Sequence, residues 1–413
     1  MIQAKRMEAF GTSIFTEIKK MKEEFIQRTG KEVIDFSIGS PNIAPASFII
    51  DAMKEKMNDP ENWKYAITDM DEMKEAIQQW YKDRYQVDLS YEEMICVSGS
   101  QQALSVLPMA ICDPEDIVLV PDPYYPIFSD GPKIAGAKVH YMPLKEENQY
   151  LIQFDEIDEE IAKKAKLMVV SYPNNPTCAI APDSFYEELI AFAHKYNILV
   201  LHDNAYSELV FDGKKGKSFL SFPKAKEIGV ELNSFSKTFG MAGARLGVCV
   251  GNKEMIKAFD TLKSNMDYGI FKPIQYAAIE ALKNGKESIQ STCLAYQRRR
   301  DAMVKAFKEI GWNIPSTPAT MFMWAKIPDS YTDSMAFVED LLEKAGVVMT
   351  PGQAFGQEGK RYVRIALVQD EQEIYKAAQQ IKEAKIFLFS SFFRIYEYEM
   401  LSLFQYRSRL FLF

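Results

Sequence analysis

Residues 167–201 read LMVVSYPNNPTCAIAPDSFYEELIAFAHKYNILVL, a stretch framed by two apolar tetrapeptides. Leu167-Met168-Val169-Val170 and Ile198-Leu199-Val200-Leu201 are unbroken apolar runs of strand length, the pattern of strands buried on both faces. Between them Phe185, Leu189, Ile190 and Ala193 recur at helical spacing, and Asp183, just after Pro182, is placed to cap the helix start. A strand, a helix and a strand in that order predict parallel pairing through a helical crossover. Ile117-Val118-Leu119-Val120 adds a third such strand upstream. The fold class that follows is α/β, a mostly parallel sheet covered by helices on both faces. Ligands of such sheets bind where the strands run out into loops.

Outward from this core, the 413 residues are too many for one ordinary core and predict two domains. The large domain is expected over residues 46–275. From about Tyr276 the texture changes to a long, charge-rich helical stretch containing Gln297-Arg298-Arg299-Arg300-Asp301, then strand-like runs at 321–327 and 361–367 with a helical pattern at 331–345 between them. This predicts a smaller α+β domain over 276–385. Residues 1–45, with an amphipathic helix from Ile14 to Phe25, are expected to pack against it. Residues 386–413 form an atypical tail crowded with Phe, Tyr, Leu and Arg.

Composition removes several function classes. A net charge of −8 disfavours a nucleic-acid binder, which needs clustered Lys and Arg to neutralise phosphates. The five cysteines are scattered, with no C-x-x-C pair and no His at ligand spacing, so neither a metal site nor a disulfide framework is expected. No run reaches the roughly 20 apolar residues of a membrane span, and no targeting signal opens the chain. A cytoplasmic protein is the expectation.

Chemistry concentrates at three strand ends. In Ser234-Phe235-Ser236-Lys237-Thr238-Phe239-Gly240 a lysine follows a strand-like run among small and apolar residues. Partial burial there would lower the amine's pKa and make it nucleophilic, as Schiff-base chemistry needs. Ser234 and Lys237 also fit a Ser-x-x-Lys hydrolase signature, but its companion elements are absent. In Leu201-His202-Asp203-Asn204-Ala205-Tyr206 the carboxylate of Asp203 ends an apolar strand, and it suits either a helix cap or the acidic partner of a cofactor's pyridinium nitrogen; His202 reads as structural. Ser98-Gly99-Ser100-Gln101-Gln102 leads from a short strand into a helix, whose exposed N–H groups and dipole favour an anion. No Walker-type phosphate loop is present, since Gly216-Lys217-Ser218 lacks the upstream glycine.

Taken with Tyr172-Pro173-Asn174-Asn175-Pro176-Thr177, the run SFSKTFGMAGARLG at 234–247 resembles the fold-type-I, class I/II aminotransferases, and the resemblance extends from about Glu17 to Ala384. It implies pyridoxal 5′-phosphate as cofactor, held by Lys237 as a Schiff base, with Lys237 later carrying the proton. Asp203 would pair with the pyridine nitrogen, Asn175 and Tyr206 with the ring's phenolic oxygen, and Tyr125 rather than Tyr124 would stack on the ring. The backbone amides of Ser100 and Gln101, with Ser234, Ser236 and Arg245, would surround the phosphate. Tyr65 matches the tyrosine that reaches a neighbouring subunit's phosphate, which implies a homodimer. Arg364 matches the arginine that grips the substrate α-carboxylate, with Gly39 lining that pocket. Three positions depart from the pattern: Cys178 stands where Gly is usual, Met70 where Gly is common, and Ala244 where an aromatic residue is frequent. The N-terminal spacing is similar to the branch holding LL-diaminopimelate and aspartate aminotransferases.

The implied activity is ping-pong transfer of an amino group between an L-amino acid and a 2-oxo acid, with glutamate and 2-oxoglutarate as one pair. A carbon–sulfur lyase or another fold-type-I enzyme would keep the same Lys, Asp and Arg. A non-enzymatic regulator would need a DNA-binding segment, and no basic helix-turn-helix pattern precedes residue 45.

Overall fold

The computed structural model describes residues 2–11 and 13–387. A short first strand, β1 (Ile34–Asp35), precedes the seven strands of the main sheet: β2 (Met94–Val97), β3 (Ile117–Asp122), β4 (Lys138–Pro143), β5 (Ala165–Val170), β6 (Leu199–Asp203), β7 (Gly229–Ser234) and β8 (Gly247–Gly251). Their order across the sheet is β2-β8-β7-β6-β5-β3-β4. Pairing is parallel from β7 through β4, while β8 runs antiparallel to both of its neighbours. The mostly parallel sheet read from 167–201 is therefore present, and the reversed strand follows directly on the Ser234–Gly247 motif.

Alternation along each strand sends neighbouring side chains to opposite faces. Val118 and Val120 join one core with Ala103, Leu104 and Leu107 of the helix Ser100–Ile111 and Met255, Ile256 and Phe259 of the helix Lys253–Lys263. Leu119, Met168 and Val200 join the other, with Phe185, Leu189 and Ala193 of the helix Asp183–Tyr196. Both faces are thus covered, which is why the strand sequences are apolar throughout. Asp183 opens its helix without capping it: Pro182 holds the cap position. The Asp183 carboxylate, one residue too late to reach the first free N–H groups, instead pairs with Lys217.

The C-terminal part of the chain places β9 (Phe322–Lys326), β10 (Val347–Val348), β11 (Thr350–Pro351) and β12 (Tyr362–Ala366) against three helices, Lys286–Glu309, Ser334–Ala345 and Glu371–Glu383. Its three-stranded antiparallel sheet has the order β11-β12-β9. The strand β1 pairs in parallel with β10, and Ile18 and Phe25 of the helix Ile14–Thr29 enter the same core as Phe337, Leu341 and Ile374. That helix runs past Phe25 to Thr29, where Gly30 ends it in a left-handed turn. Of the aromatic tail, Ile386 is buried in this core and Phe387 stacks on Trp312, while residues 388–413 lie outside the described residues. Among the described residues no helix is long and apolar enough to cross a membrane.

Candidate active site

The carboxyl ends of the parallel strands open beneath β9 and β12 onto a cavity of about 320 Å³. Twelve residues singled out from sequence line it: Gly39, Ser100, Gln101, Tyr125, Asn175, Asp203, Tyr206, Ser234, Ser236, Lys237, Arg245 and Arg364. Asp203 is the last residue of β6 and Ser234 the last of β7. Tyr65 is the exception. It lies on the surface, 77% exposed, and does not line this chain's cavity. Tyr124 turns away and stacks on Tyr141.

One end of the cavity is built for an anion. The helix Ser100–Ile111 begins there, and its first N–H groups have no partner within the helix. Gly99 turns into it with φ +74°, and a Cβ at that position would collide with the Arg245 guanidinium. Arg245 is braced by two carbonyls, donating to Ala242 O at 3.0 Å and Ser98 O at 3.4 Å. Ser234 and Ser236 add hydroxyls, with Ser236 N donating to Ser234 Oγ at 3.2 Å. Helix dipole, free amides and a planar guanidinium converge as a phosphate requires.

The middle of the cavity holds the titratable pair. Lys237 Nζ donates to Gly39 O at 3.1 Å. Burial, then the charges of Arg364 and Arg245, pull its pKa down to about 8, against an opposing pull from Asp203. Burial pushes Asp203 up to about 6, and its Oδ1 is buried without a hydrogen-bond partner. An orphaned carboxylate oxygen is a site that a protonated ring nitrogen would satisfy. Burial also pushes the Tyr206 hydroxyl well above its usual range, so it is a neutral phenol that can donate.

The other end is cationic. Arg364 is fully enclosed, and its Nη1 donates to Asn175 Oδ1 at 3.1 Å. Its guanidinium lies 4.1 Å from the centroid of Phe322 and 4.6 Å from that of Phe355. Burial lowers its pKa to about 10, which leaves it charged at neutral pH. Gly39 faces it so closely that a Cβ would sit 3.3 Å from Nη2.

His202 is structural, as its sequence context implied. It is buried beside Glu231, with Nδ1 3.2 Å from Oε2, and Glu231 also accepts from Tyr81 and Ser218. Phe15, Gly99, Ala205 and Phe322 line the cavity without having been singled out as site residues. Gly99 sat inside a motif already read as an anion turn. Phe15 and Phe322 had no signal, because an aromatic residue in an apolar run reads as core.

This set of groups fits pyridoxal phosphate: an anion pocket, an orphaned carboxylate and a lysine of lowered pKa within one cavity. Residues 31–381 match the sequence profile of aminotransferase class I and II. The chain belongs to the class I and II aminotransferases. As a member of that family it is a pyridoxal-phosphate-dependent enzyme of fold type I. The LL-diaminopimelate aminotransferase of Halothermothrix orenii is 42% identical over 94% of this chain and 99% of its own. Among solved structures, apo-BacF from Bacillus subtilis superposes with a TM-score of 0.90 at 36% identity, covering 93% of this chain and 98% of its own. A probable N-succinyldiaminopimelate aminotransferase from Thermus thermophilus gives 0.85 at 34% identity, covering 90% and 100%.

Proposed function

We propose that this aminotransferase moves an amino group between an L-amino acid and a 2-oxo acid by a ping-pong route, as a cytoplasmic homodimer, with glutamate and 2-oxoglutarate as one pair. The observation that carries the reading is the convergence of Lys237, Asp203 and Arg364 on one cavity. For the other substrate, the 42% identical LL-diaminopimelate aminotransferase supports LL-diaminopimelate as the first amino acid to test. The five free thiols, four of them buried, suit a reducing compartment.

Pyridoxal phosphate, when bound, supplies an aldehyde that takes up the amino group and a ring that withdraws electrons from the substrate Cα. In this reading Ser100 and Gln101 N–H groups, Ser234, Ser236 and Arg245 hold the phosphate, and Tyr125 lies against the ring. Asp203 receives the ring nitrogen's proton as a hydrogen bond and keeps it there. Asn175 spends its Oδ1 on Arg364, so its Nδ2 is left to donate, with the Tyr206 hydroxyl, to the phenolic oxygen. Arg364 grips the α-carboxylate in its planar fork, which fixes where the Cα–H bond points. Lys237 Nζ takes the proton from Cα and returns one during transfer, a task suited to an amine of pKa near 8. Rings of Phe15 and Phe322 exclude water around these charges.

Tyr65 is exposed and paired with Tyr268, their ring centroids 4.9 Å apart. Its place in this reading is at the phosphate of a partner subunit. The deciding experiment follows the cofactor's visible absorbance while amino acids, including glutamate and LL-diaminopimelate, are added singly. Bleaching that returns on addition of a 2-oxo acid supports transfer in two halves. Release of ammonia with a 2-oxo acid from one substrate alone would replace it with an elimination reaction.

A further inference from the structure

Lys263 is 5% exposed, yet it lies outside the cavity and takes no part in the chemistry above. Its ammonium is shared between two partners on the loop that follows its helix, donating to Asp267 Oδ1 at 2.6 Å and to Tyr268 O at 3.1 Å. The other oxygen of Asp267 accepts from Gln102 Nε2. Gln102 in turn accepts, through Oε1, the N–H of Ser98 at 2.8 Å. Ser98 is the residue whose carbonyl braces Arg245 at the anion turn. An unbroken polar chain therefore runs from the anion turn through Gln102 and Asp267 to Lys263.

The far end of that chain meets Tyr65. Gly269 N donates to Ala66 O at 2.7 Å, and a Cβ on Gly269 would stand 2.5 Å from that oxygen, so the two loops lie in direct backbone contact. The ring of Tyr268, whose carbonyl Lys263 holds, packs against Tyr65. Both rings face solvent, Tyr65 at 77% and Tyr268 at 56% exposure. A side chain that must reach another subunit from such a position needs its backbone fixed from behind.

We propose that Lys263 and Asp267 are positioning residues that hold the Tyr65 loop in register with the anion turn of the same subunit, so that each subunit's phosphate turn aims the tyrosine serving the other site. The inference rests on the reading of Tyr65 as a contributor to a partner's phosphate pocket. Lys263 touches no ligand; it acts through the 267–269 loop. A charge buried and doubly hydrogen-bonded in this way favours that arrangement, because giving up either contact costs the desolvated ammonium a partner.

The test is a double-mutant cycle on cofactor affinity, read by equilibrium titration of the full-length apoenzyme with pyridoxal phosphate. Tyr65→Phe is expected to weaken binding about tenfold, and Lys263→Met, which keeps the aliphatic stem, to weaken it comparably. The double variant is expected to be no weaker than Tyr65→Phe alone, because Lys263 acts through that tyrosine. Additive losses, or wild-type affinity in Lys263→Met, would overturn the proposal. Should Lys263→Met fail to fold, Asp267→Asn in the same cycle has the same predicted non-additivity and the same refuting outcome. Wild-type affinity in Tyr65→Phe would instead remove the reading of Tyr65 itself, and the proposal with it.

Discussion

Arg364 of β12 donates to Asn175, in the loop that follows β5, at 3.1 Å, so the cationic end of the cavity is assembled from two separate sheets. The rest of the guanidinium is walled by Phe322 and Phe355, and its Nε is buried without a partner.

Replacing Arg364 by Lys keeps the charge and removes the fork. A compact ammonium cannot reach Asn175 and a carboxylate in the same plane. Charge-assisted hydrogen bonds of this kind are worth about 1.5–3 kcal/mol, so the KM for the amino acid should rise roughly 10- to 100-fold, with a smaller fall in kcat. Steady-state kinetics with each substrate varied would show it, and an unchanged KM would remove Arg364 from the substrate site.

The lowered pKa of Lys237 makes its own prediction. Only the neutral amine attacks an aldehyde, so capture of pyridoxal phosphate by the apoenzyme should accelerate with pH and level off above about 8. A rate that keeps climbing towards pH ~10 would be that of an ordinary lysine. Lys237→Ala should abolish both turnover and the borohydride-fixed adduct.

Asp203 is raised by burial from 3.8 to about 6 in the free protein. The sign follows from where the proton goes: between those values the folded chain binds more protons than the unfolded one. The apoenzyme's stability on this account is fully present below pH about 4 and is lost as pH rises through about 6. Asp203→Asn should flatten that fall, measured by urea unfolding at pH values across the window. In the holoenzyme the same change should lower kcat by about 10³-fold or more, since a neutral amide cannot hold the ring nitrogen's proton.

Local motifs made much of this legible from sequence. Lys237, Ser234, Ser236 and Arg245 lie within one run of fourteen residues, 234–247, and Asp203 ends a strand whose apolar pattern is unambiguous. The parallel sheet was legible for the same reason, because burial on both faces leaves an unbroken apolar signature. The reversal of β8 left none, since a strand buried on both faces reads alike in either direction. Phe322 comes to Arg364 from β9 and Phe355 from the turn Gly352–Phe355, and nothing local distinguishes them from core. The tie between Gln102 and Asp267 spans 165 positions and joins two ordinary surface residue types.

Cys178 is the departure from the family's usual glycine that the structure explains. Its φ is +65°, a left-handed conformation, and it touches Thr320, which is left-handed too at +73°. The thiol donates to Phe322 O at 3.2 Å and accepts from Thr320 Oγ1 at 3.2 Å, contacts a glycine could not make. Cys178→Ala deletes the thiol and keeps the strain, which is about 1–2 kcal/mol for an L-residue. Cys178→Gly deletes the thiol and relieves the strain, but the unfolded chain gains freedom that offsets about 0.5–1 kcal/mol of it. The larger deletion should therefore be the milder one, with Cys178→Gly more stable than Cys178→Ala by up to about 1.5 kcal/mol. Urea midpoints of the two apoenzymes at equal m-values decide it, and an alanine variant more stable than the glycine one would mean that residue 178 is not held left-handed.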